Sequence, residues 1–317
     1  KNNYFASCPR GLENILLDEL STIGAKDLKK VDGGLLFTGN NEILYRANIT
    51  SRIATRIMFL IKKGTYENEE DIYKSALDIK WDTWFDINNT IKVSTTAIKC
   101  PLKSIDFMTL RIKDAVCDFF RERSGKRPSV EVRDPDIKIH LFIERDNFSL
   151  YLDASGDPLY QRGFRSATVE APIRENLAAG IIKLSGWEPG QAFLDPMCGS
   201  ATFLIEAALI ATNQAPGLKR NFGFMAWKNF DKPLFVSLKK YYQDAVIKKD
   251  FLRIYGSDKD LRAIRISKKN IVLAGFENNI QLACKQFSEI VPPLEGGVLV
   301  TNPPYGERIG EEDDLVD

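Results

Sequence analysis

Apolar residues recur every three or four positions in some stretches of the chain and every second position in others. Leu12, Ile15, Leu16, Leu20 and Ile23 fall on one side of a helix across GLENILLDELSTIGA. A short strand, YFASCP, precedes it; GGLLFTG (strand), NEILYRANITS (helix) and TRIMFLIKKG (strand) follow. Residues 68–79 read as another helix and residues 90–99 as a strand. IDFMTLRIKDAVCDFFRERSG is a long amphipathic helix that Gly125 closes. Ile137, Ile139, Leu141 and Ile143 alternate with outward positions, as in a half-buried strand, and Asp146-Asn147 turns the chain into FSLYLDAS.

These elements predict three modules. Residues 1–63, with these strands and helices in turn, suggest a small ferredoxin-like α+β unit. Residues 64–165 form a second α+β module. GDPLYQRGFRSATVEAP, rich in Gly, Pro and Arg, reads as a linker, with the boundary near residue 165. The pattern then changes over residues 166–317. Strand AFLD, a Gly-bearing turn and helix TFLIEAALIATN lead to strand RIYGSD, helix LRAIRISKKNIVLAG and strands IQLAC and GGVLVTNPP. Apolar strands alternating with helices predict an α/β, Rossmann-like, doubly wound parallel sheet. NQAPGLKRNFGFMAWKNFDKP interrupts it as an insertion. Such a sheet is expected to need more strands, so a C-terminal piece is expected beyond Asp317.

Composition narrows the function classes. With 44% hydrophobic and 27% charged residues over 317 positions, the chain is an ordinary globular one. Lys and Arg number 26 against 24 acidic residues over 1–165, and 18 against 19 over 166–317, which gives +2 and −1 and the total of +1. A nucleic-acid footprint must therefore be local. The five cysteines, Cys8, Cys100, Cys117, Cys198 and Cys284, are scattered, odd in number and without a C-x-x-C pair. No disulfide framework or metal site is expected, and a reducing cytoplasm fits best. His140 is the sole histidine, which argues against His-based metal sites and Ser-His or Cys-His catalysis. No apolar run approaches the roughly 20 residues of a membrane span, so no membrane role is expected.

Three motifs carry candidate chemistry. Asp195-Pro196-Met197-Cys198-Gly199-Ser200 joins strand AFLD to a helix. Ligands of such sheets bind at the carboxyl ends of the strands, and a helix N-terminus suits a carboxylate; alternatively Gly199 serves only a tight turn. Gly256-Ser257-Asp258-Lys259-Asp260 ends the next strand. Asp258 there is placed to bond ribose hydroxyls and Asp260 to cap the following helix, although either could be the cap. Asn302-Pro303-Pro304-Tyr305 follows the apolar VLVT. Two prolines fix a rigid loop that presents one amide and one ring. The Asn302 side-chain oxygen and the Pro303 carbonyl can accept the N–H groups of a base amine, whose delocalised lone pair makes it a poor nucleophile, and stabilise the charge that develops on it. Tyr305 can stack on the base.

Taken together, D-P-M-C-G-S, G-S-D and N-P-P-Y-G-E-R resemble class I methyltransferases that modify exocyclic amines. SGKRPSVEVRDPDIKIHLFIERDNFSLYLDASGDPLYQRGFR resembles a THUMP domain and its exit linker. With PIRENLAAG, the whole is similar to the first half of the bacterial THUMP-containing 23S rRNA guanine-N2 methyltransferases, a family also described as N6-adenine-specific DNA methylases. The resemblance implies S-adenosylmethionine as cofactor. It also implies cofactor roles for Pro172, Arg174 and Asn176 over the methionine end, for Asp195, Pro196, Cys198, Gly199, Ser200 and Thr202 beside it, and for Asp258, Lys259, Gln286 and Asn302 around the nucleoside. Ala201 stands where the family usually has Gly, and Gln286 where an Asp commonly contacts the adenine amine. Cys198, inside the cofactor turn, is not expected to act as a nucleophile.

The partner implied is structured RNA, 23S rRNA or a pre-ribosomal particle. Lys99, Arg121, Arg123, Lys126, Arg127 and Arg133 are the candidate phosphate contacts, with Lys219, Arg220 and Lys228 of the insertion as the alternative set. Three rivals stay open at this point: adenine N6, guanine N2 of tRNA, and a non-catalytic RNA-binding assembly factor.

Overall fold

The structure is a computed structural model, and it describes residues 1–165, 172–291 and 296–303. They form two compact units. Residues 1–159 and 217–241 make the first, and residues 160–216 with those from 242 onward make the second.

The first unit is built on one seven-stranded sheet, in the order β2-β3-β1-β4-β7-β6-β5. Its strands are β1 (Asn2–Ser7), β2 (Lys26–Val31), β3 (Gly34–Gly39), β4 (Arg56–Thr65), β5 (Ile91–Ile98), β6 (Ile137–Glu144) and β7 (Asn147–Asp153). Between them run α1 (Glu13–Thr22), α2 (Asn41–Thr50), α3 (Glu69–Leu77) and α4 (Ile105–Ser124). The modules expected on either side of residue 63 share this sheet, because β4 pairs antiparallel with β7 along its length. β2, which the hydrophobic pattern did not single out, is a polar edge strand.

Local chemistry explains these elements. Asn68 and Asp71 form a capping box at the start of α3. The Ser104 hydroxyl accepts the Phe107 N–H at 3.1 Å to open α4, and Gly125 ends it at φ +69. α4 buries Met108, Ile112, Ala115, Val116, Phe119 and Phe120, a continuous stripe at helical spacing. β6 buries every second residue, Ile137 through Ile143.

The insertion belongs to the first unit. Gly217 N–H donates to the Ile49 carbonyl at 2.9 Å, and the Arg220 guanidinium donates to the Pro158 and Asp157 carbonyls at 2.6 and 2.7 Å. A Cβ at Gly223 would lie 2.5 Å from the Asp153 carbonyl oxygen, so only glycine lets the insertion pass this close. Phe224 then packs 4.6 Å from the Tyr45 ring, and Trp227 packs 5.6 Å from Trp84. Helix α7 (Lys232–Asp244), absent from the pattern reading, adds Phe235 to this cluster.

In the second unit, α5 (Glu175–Leu184), β8 (Phe193–Asp195), α6 (Thr202–Ala211), β9 (Ile254–Asp258), α8 (Leu261–Ala274), β10 (Ile280–Cys284) and β11 (Val298–Leu299) follow in order. The four strands are parallel, in the order β10-β9-β8-β11. Helix α6 is buried from Thr202 to Leu209 and is apolar on nearly every side, with Glu206 paired to the buried Arg162 at 3.3 Å. It sits close to the sheet because a Cβ at Gly256 would come within 2.3 Å of a Leu204 methyl.

Candidate functional site

Parallel pairing gathers the motifs at one edge. Asp195 is level with Gly256 on β9, and Asp258 with Cys284 on β10. Val300 donates its N–H to the Leu194 carbonyl at 3.0 Å, so Asn302 and Pro303 emerge beside the end of β8. The Asp195–Ser200 turn, Asp258 with Lys259, Gln286 and Asn302 therefore lie at the carboxyl ends of four adjacent strands. Strand order reverses direction between β8 and β11, the switch point where such sheets take ligands. Pro304 and Tyr305 lie outside the described residues.

The turn is held largely by its neighbours. Cys198 N–H donates to the Ser257 carbonyl at 2.8 Å, and Gly199 N–H to an Asp258 carboxylate oxygen at 3.0 Å. The other Asp258 oxygen accepts the Asp260 N–H at 2.9 Å, and Asp260 itself caps α8 through the Arg262 N–H. Asp258 thus fixes the turn and retains further lone pairs for a ligand. Ser267 and Asn270, two buried residues of α8, donate to the Gly199 and Ser200 carbonyls at 2.6 and 3.1 Å. Nothing in the sequence pattern marked them; polar residues on the sheet-facing side of α8 were the available signal.

Burial tunes the titratable groups. Asp195 is 1% exposed, and burial pushes its carboxyl up to about 7, against the pull of the Met197 N–H. Burial likewise pushes the Cys198 thiol far up, with the Asp195 charge adding to it. A thiol held protonated is no nucleophile. Its sulfur lies 3.8 Å from the Ser267 hydroxyl.

Arg174 is the N-cap of α5 and lies over the Tyr160 ring at 5.2 Å; Asn176 is buried behind it, and Pro172 is half-buried ahead of it. Arg165, which the motifs did not include, donates to Thr202 Oγ1 at 3.1 Å and to the Ile173 carbonyl at 3.0 Å and pairs with Glu175 at 3.2 Å. A cavity of about 20 Å³, room for one water, lies among Arg165, Glu175, Ser200, Thr202, Glu206 and Asn270. Gln286 is exposed just past β10, where the Lys285 N–H donates to the Asp258 carbonyl at 3.1 Å.

The basic candidates of the first unit divide in two. Arg121, Arg123, Lys126, Arg127 and Arg133 are exposed around the C-terminal end of α4. Arg121 pairs with Asp118, and the Arg123 guanidinium lies 3.8 Å from the Phe119 ring centre. Lys99 is exposed at the far end of β5, near the start of α4. The 20 residues of α4 separate the two ends by about 30 Å. In the insertion, Arg220 is buried on carbonyls and Lys228 pairs with Asp86 at 2.7 Å.

Comparison with known proteins finds three family matches along the chain. A family described as RMKL-like, methyltransferase domain matches residues 162–317; the THUMP domain family matches residues 66–153; and the RlmL ferredoxin-like domain matches residues 3–58. The ribosomal RNA large subunit methyltransferase K/L of Psychromonas ingrahamii is 39% identical over 99% of this chain, which spans 43% of that longer protein. The crystal structure of a predicted N6-adenine-specific DNA methylase from Listeria monocytogenes is 32% identical, with TM-score 0.89, over 98% of this chain and 82% of that one. SMU.472, described as a methyltransferase and solved with SAH, is 30% identical with TM-score 0.88 over the same shares. The chain belongs to the THUMP-containing, RMKL-like methyltransferase family.

Proposed function

We propose that the protein methylates an exocyclic base amine of structured RNA, using S-adenosylmethionine, and that the amine is guanine N2 of 23S rRNA. The meeting of the Asp195–Ser200 turn, Asp258, Gln286 and Asn302 at four neighbouring strand ends carries this reading. The donor set fits the cofactor. The Ser200 N–H and those of the first turn of α6 suit a carboxylate, the Asp258 carboxylate suits ribose hydroxyls, and the Gln286 amide oxygen suits the adenine amine. SAH in the SMU.472 structure supports the assignment. When bound, the cofactor supplies an electrophilic methyl group.

The protein's own part is to hold the target amine. The Asn302 side-chain oxygen and the Pro303 carbonyl accept its N–H groups and draw its lone pair out of conjugation. Tyr305, which lies outside the described residues, is assigned the role of stacking on the base. The amine proton passes to solvent. RNA as the substrate class rests on the THUMP match and on the rRNA methyltransferase relative; work in the cytoplasm, on 23S rRNA or a pre-ribosomal particle, is part of the same proposal. A second reading, adenine N6, is favoured by the description of the Listeria relative.

Methyl transfer to rRNA and to duplex DNA, followed by nucleoside mass spectrometry, tests both. N2-methylguanosine from rRNA is expected; N6-methyladenosine, or transfer to DNA alone, sinks the guanine assignment. Asn302→Ala is expected to lower turnover about 10²-fold or more while cofactor affinity stays within a few-fold.

A further inference from the structure

Ser267 and Asn270 stand one helical turn apart on α8 and are 0% and 2% exposed. A polar side chain buried on a helix face is costly unless it is bonded. Both are bonded, and both bonds end on consecutive carbonyls of one turn, those of Gly199 and Ser200. The next residue, Ala201, is fully buried at φ +68 and ψ +24. That left-handed geometry is strained for any residue with a Cβ. Left to itself, the Ser200–Ala201 peptide would rotate and return Ala201 to the right-handed region.

We propose that Ser267 and Asn270 are positioning residues that clamp the ligand-binding turn against this relaxation. In a trans peptide the carbonyl and the following N–H point in opposite directions. Fixing the Gly199 carbonyl toward α8 therefore aims the Ser200 N–H away from α8. Fixing the Ser200 carbonyl does the same for the Ala201 N–H, which closes the turn on the Cys198 carbonyl at 2.7 Å. The clamp presets an outward donor for an anionic or hydroxylic ligand group, and it works against the strain at Ala201. This rests on the cofactor reading above only for the identity of the ligand.

The test uses the full chain and four variants: Ser267→Ala, Asn270→Leu, Ala201→Gly, and Ala201→Gly combined with Asn270→Leu. SAH binding is measured by calorimetry and stability by thermal melting without ligand. Loss of either bond is expected to weaken SAH binding about five- to tenfold. Ala201→Gly should restore most of that loss in the Asn270→Leu background, because a relaxed glycine needs no clamp. In melting, Ala201→Gly should raise the transition more in the Asn270→Leu background than alone. Equal SAH affinity in all variants, or purely additive effects of Ala201→Gly and Asn270→Leu, overturns the clamp. A wild-type chain that binds no SAH overturns the cofactor reading instead; the melting comparison then still decides the clamp. If Asn270→Leu does not fold, Ser267→Ala with Ala201→Gly gives the same comparison.

Discussion

Both units of this molecule have an apolar core, and they differ in what is added to it. The first unit surrounds seven strands with rings: Tyr4 with Phe37 and Phe59, Trp84 with Trp227, and Tyr45 with Phe224, Phe230 and Phe235. The second unit has strands of only two to five residues, and the loops at their carboxyl ends are tied by side chains such as Asp258, Ser267 and Asn270 bonding to backbone. Aromatic packing gives stability without directional precision. Hydrogen bonds to a short turn contribute less but fix where each donor points, which a binding site needs. A mutation in the first region should therefore act on melting, and one in the second on binding.

The largest effect that can break this contrast is in the ring cluster. Phe224→Ala removes the ring 4.6 Å from Tyr45 and 5.5 Å from Phe235, and should destabilise the first unit by about 3–5 kcal/mol. SAH affinity should stay within twofold, because the cofactor candidates lie in the other unit. By the same reasoning, a fragment of residues 1–159 lacks the Gly217–Tyr241 segment of its own unit and should show no cooperative melt. A sharp transition for that fragment would show that the insertion is an ornament.

Protonation sharpens the comparison next. Asp195 keeps its proton up to about 7 in the fold but loses it near 3.8 when unfolded. Between these values the folded state binds more protons, so the second unit loses stability as pH rises from about 4 to 7, by a total on the order of 4 kcal/mol. Asp195→Asn should remove that slope and raise stability at pH 7.5. Burial and the Arg56 charge hold His140, in the first unit, down at about 4 against 6.5. Its contribution is present above 6.5 and is lost as pH falls toward 4. Burial also raises the Glu19 and Asp153 carboxyls of the first unit, which act in the same direction as Asp195, so denaturation of wild type and Asp195→Asn compared across pH 4–8 isolates the Asp195 slope.

Asp258→Ala comes third. Loss of hydrogen bonds to a charged group should weaken cofactor binding by about 1.5–3 kcal/mol. Two backbone N–H groups, from Gly199 and Asp260, lose their acceptor as well, so the melting transition should also fall. Unchanged affinity with a lowered transition would reduce Asp258 to a turn anchor.

Much of this was legible in the sequence because the signals were local. The period of β6, the Gly125 stop of α4, the Asp260 cap and the strand-end motifs each follow from residues close together in the chain. What stayed illegible depends on partners far apart. β2 carries only Leu28 and Val31 as apolar residues and exists because β3 lies beside it. The insertion reads as irregular, yet Phe224 and Trp227, and Phe235 just after it, find the rings of Tyr45 and Phe59 far back in the chain. Ser267 and Asn270 share the buried side of α8 with Ala263, Ile271 and Ala274, but their role shows only when the Gly199 and Ser200 carbonyls are seen in front of them.

The smallest expected effect concerns which end of α4 meets RNA. Arg121 is spoken for by Asp118, and Arg123 rests on Phe119, so Lys126 and Arg127 are the stronger contact candidates at the C-terminal end. They compete with the helix dipole, whose negative end repels phosphate there. At the other end, Lys99 and Lys103 flank exposed Ile98, Ile105, Phe107 and Leu110, and the dipole there favours an anion. Each phosphate neutralised adds about 0.7–0.9 to the log–log salt slope. If the C-terminal end is the contact, Lys126→Ala with Arg127→Ala flattens the slope by roughly 1.4–1.8 units, and Lys99→Ala with Lys103→Ala leaves it unchanged. Of the two ends, the C-terminal one collects more charge in sequence, and it is the expected outcome. A slope that responds only to the Lys99 pair would move the RNA to the opposite end of α4, about 30 Å away.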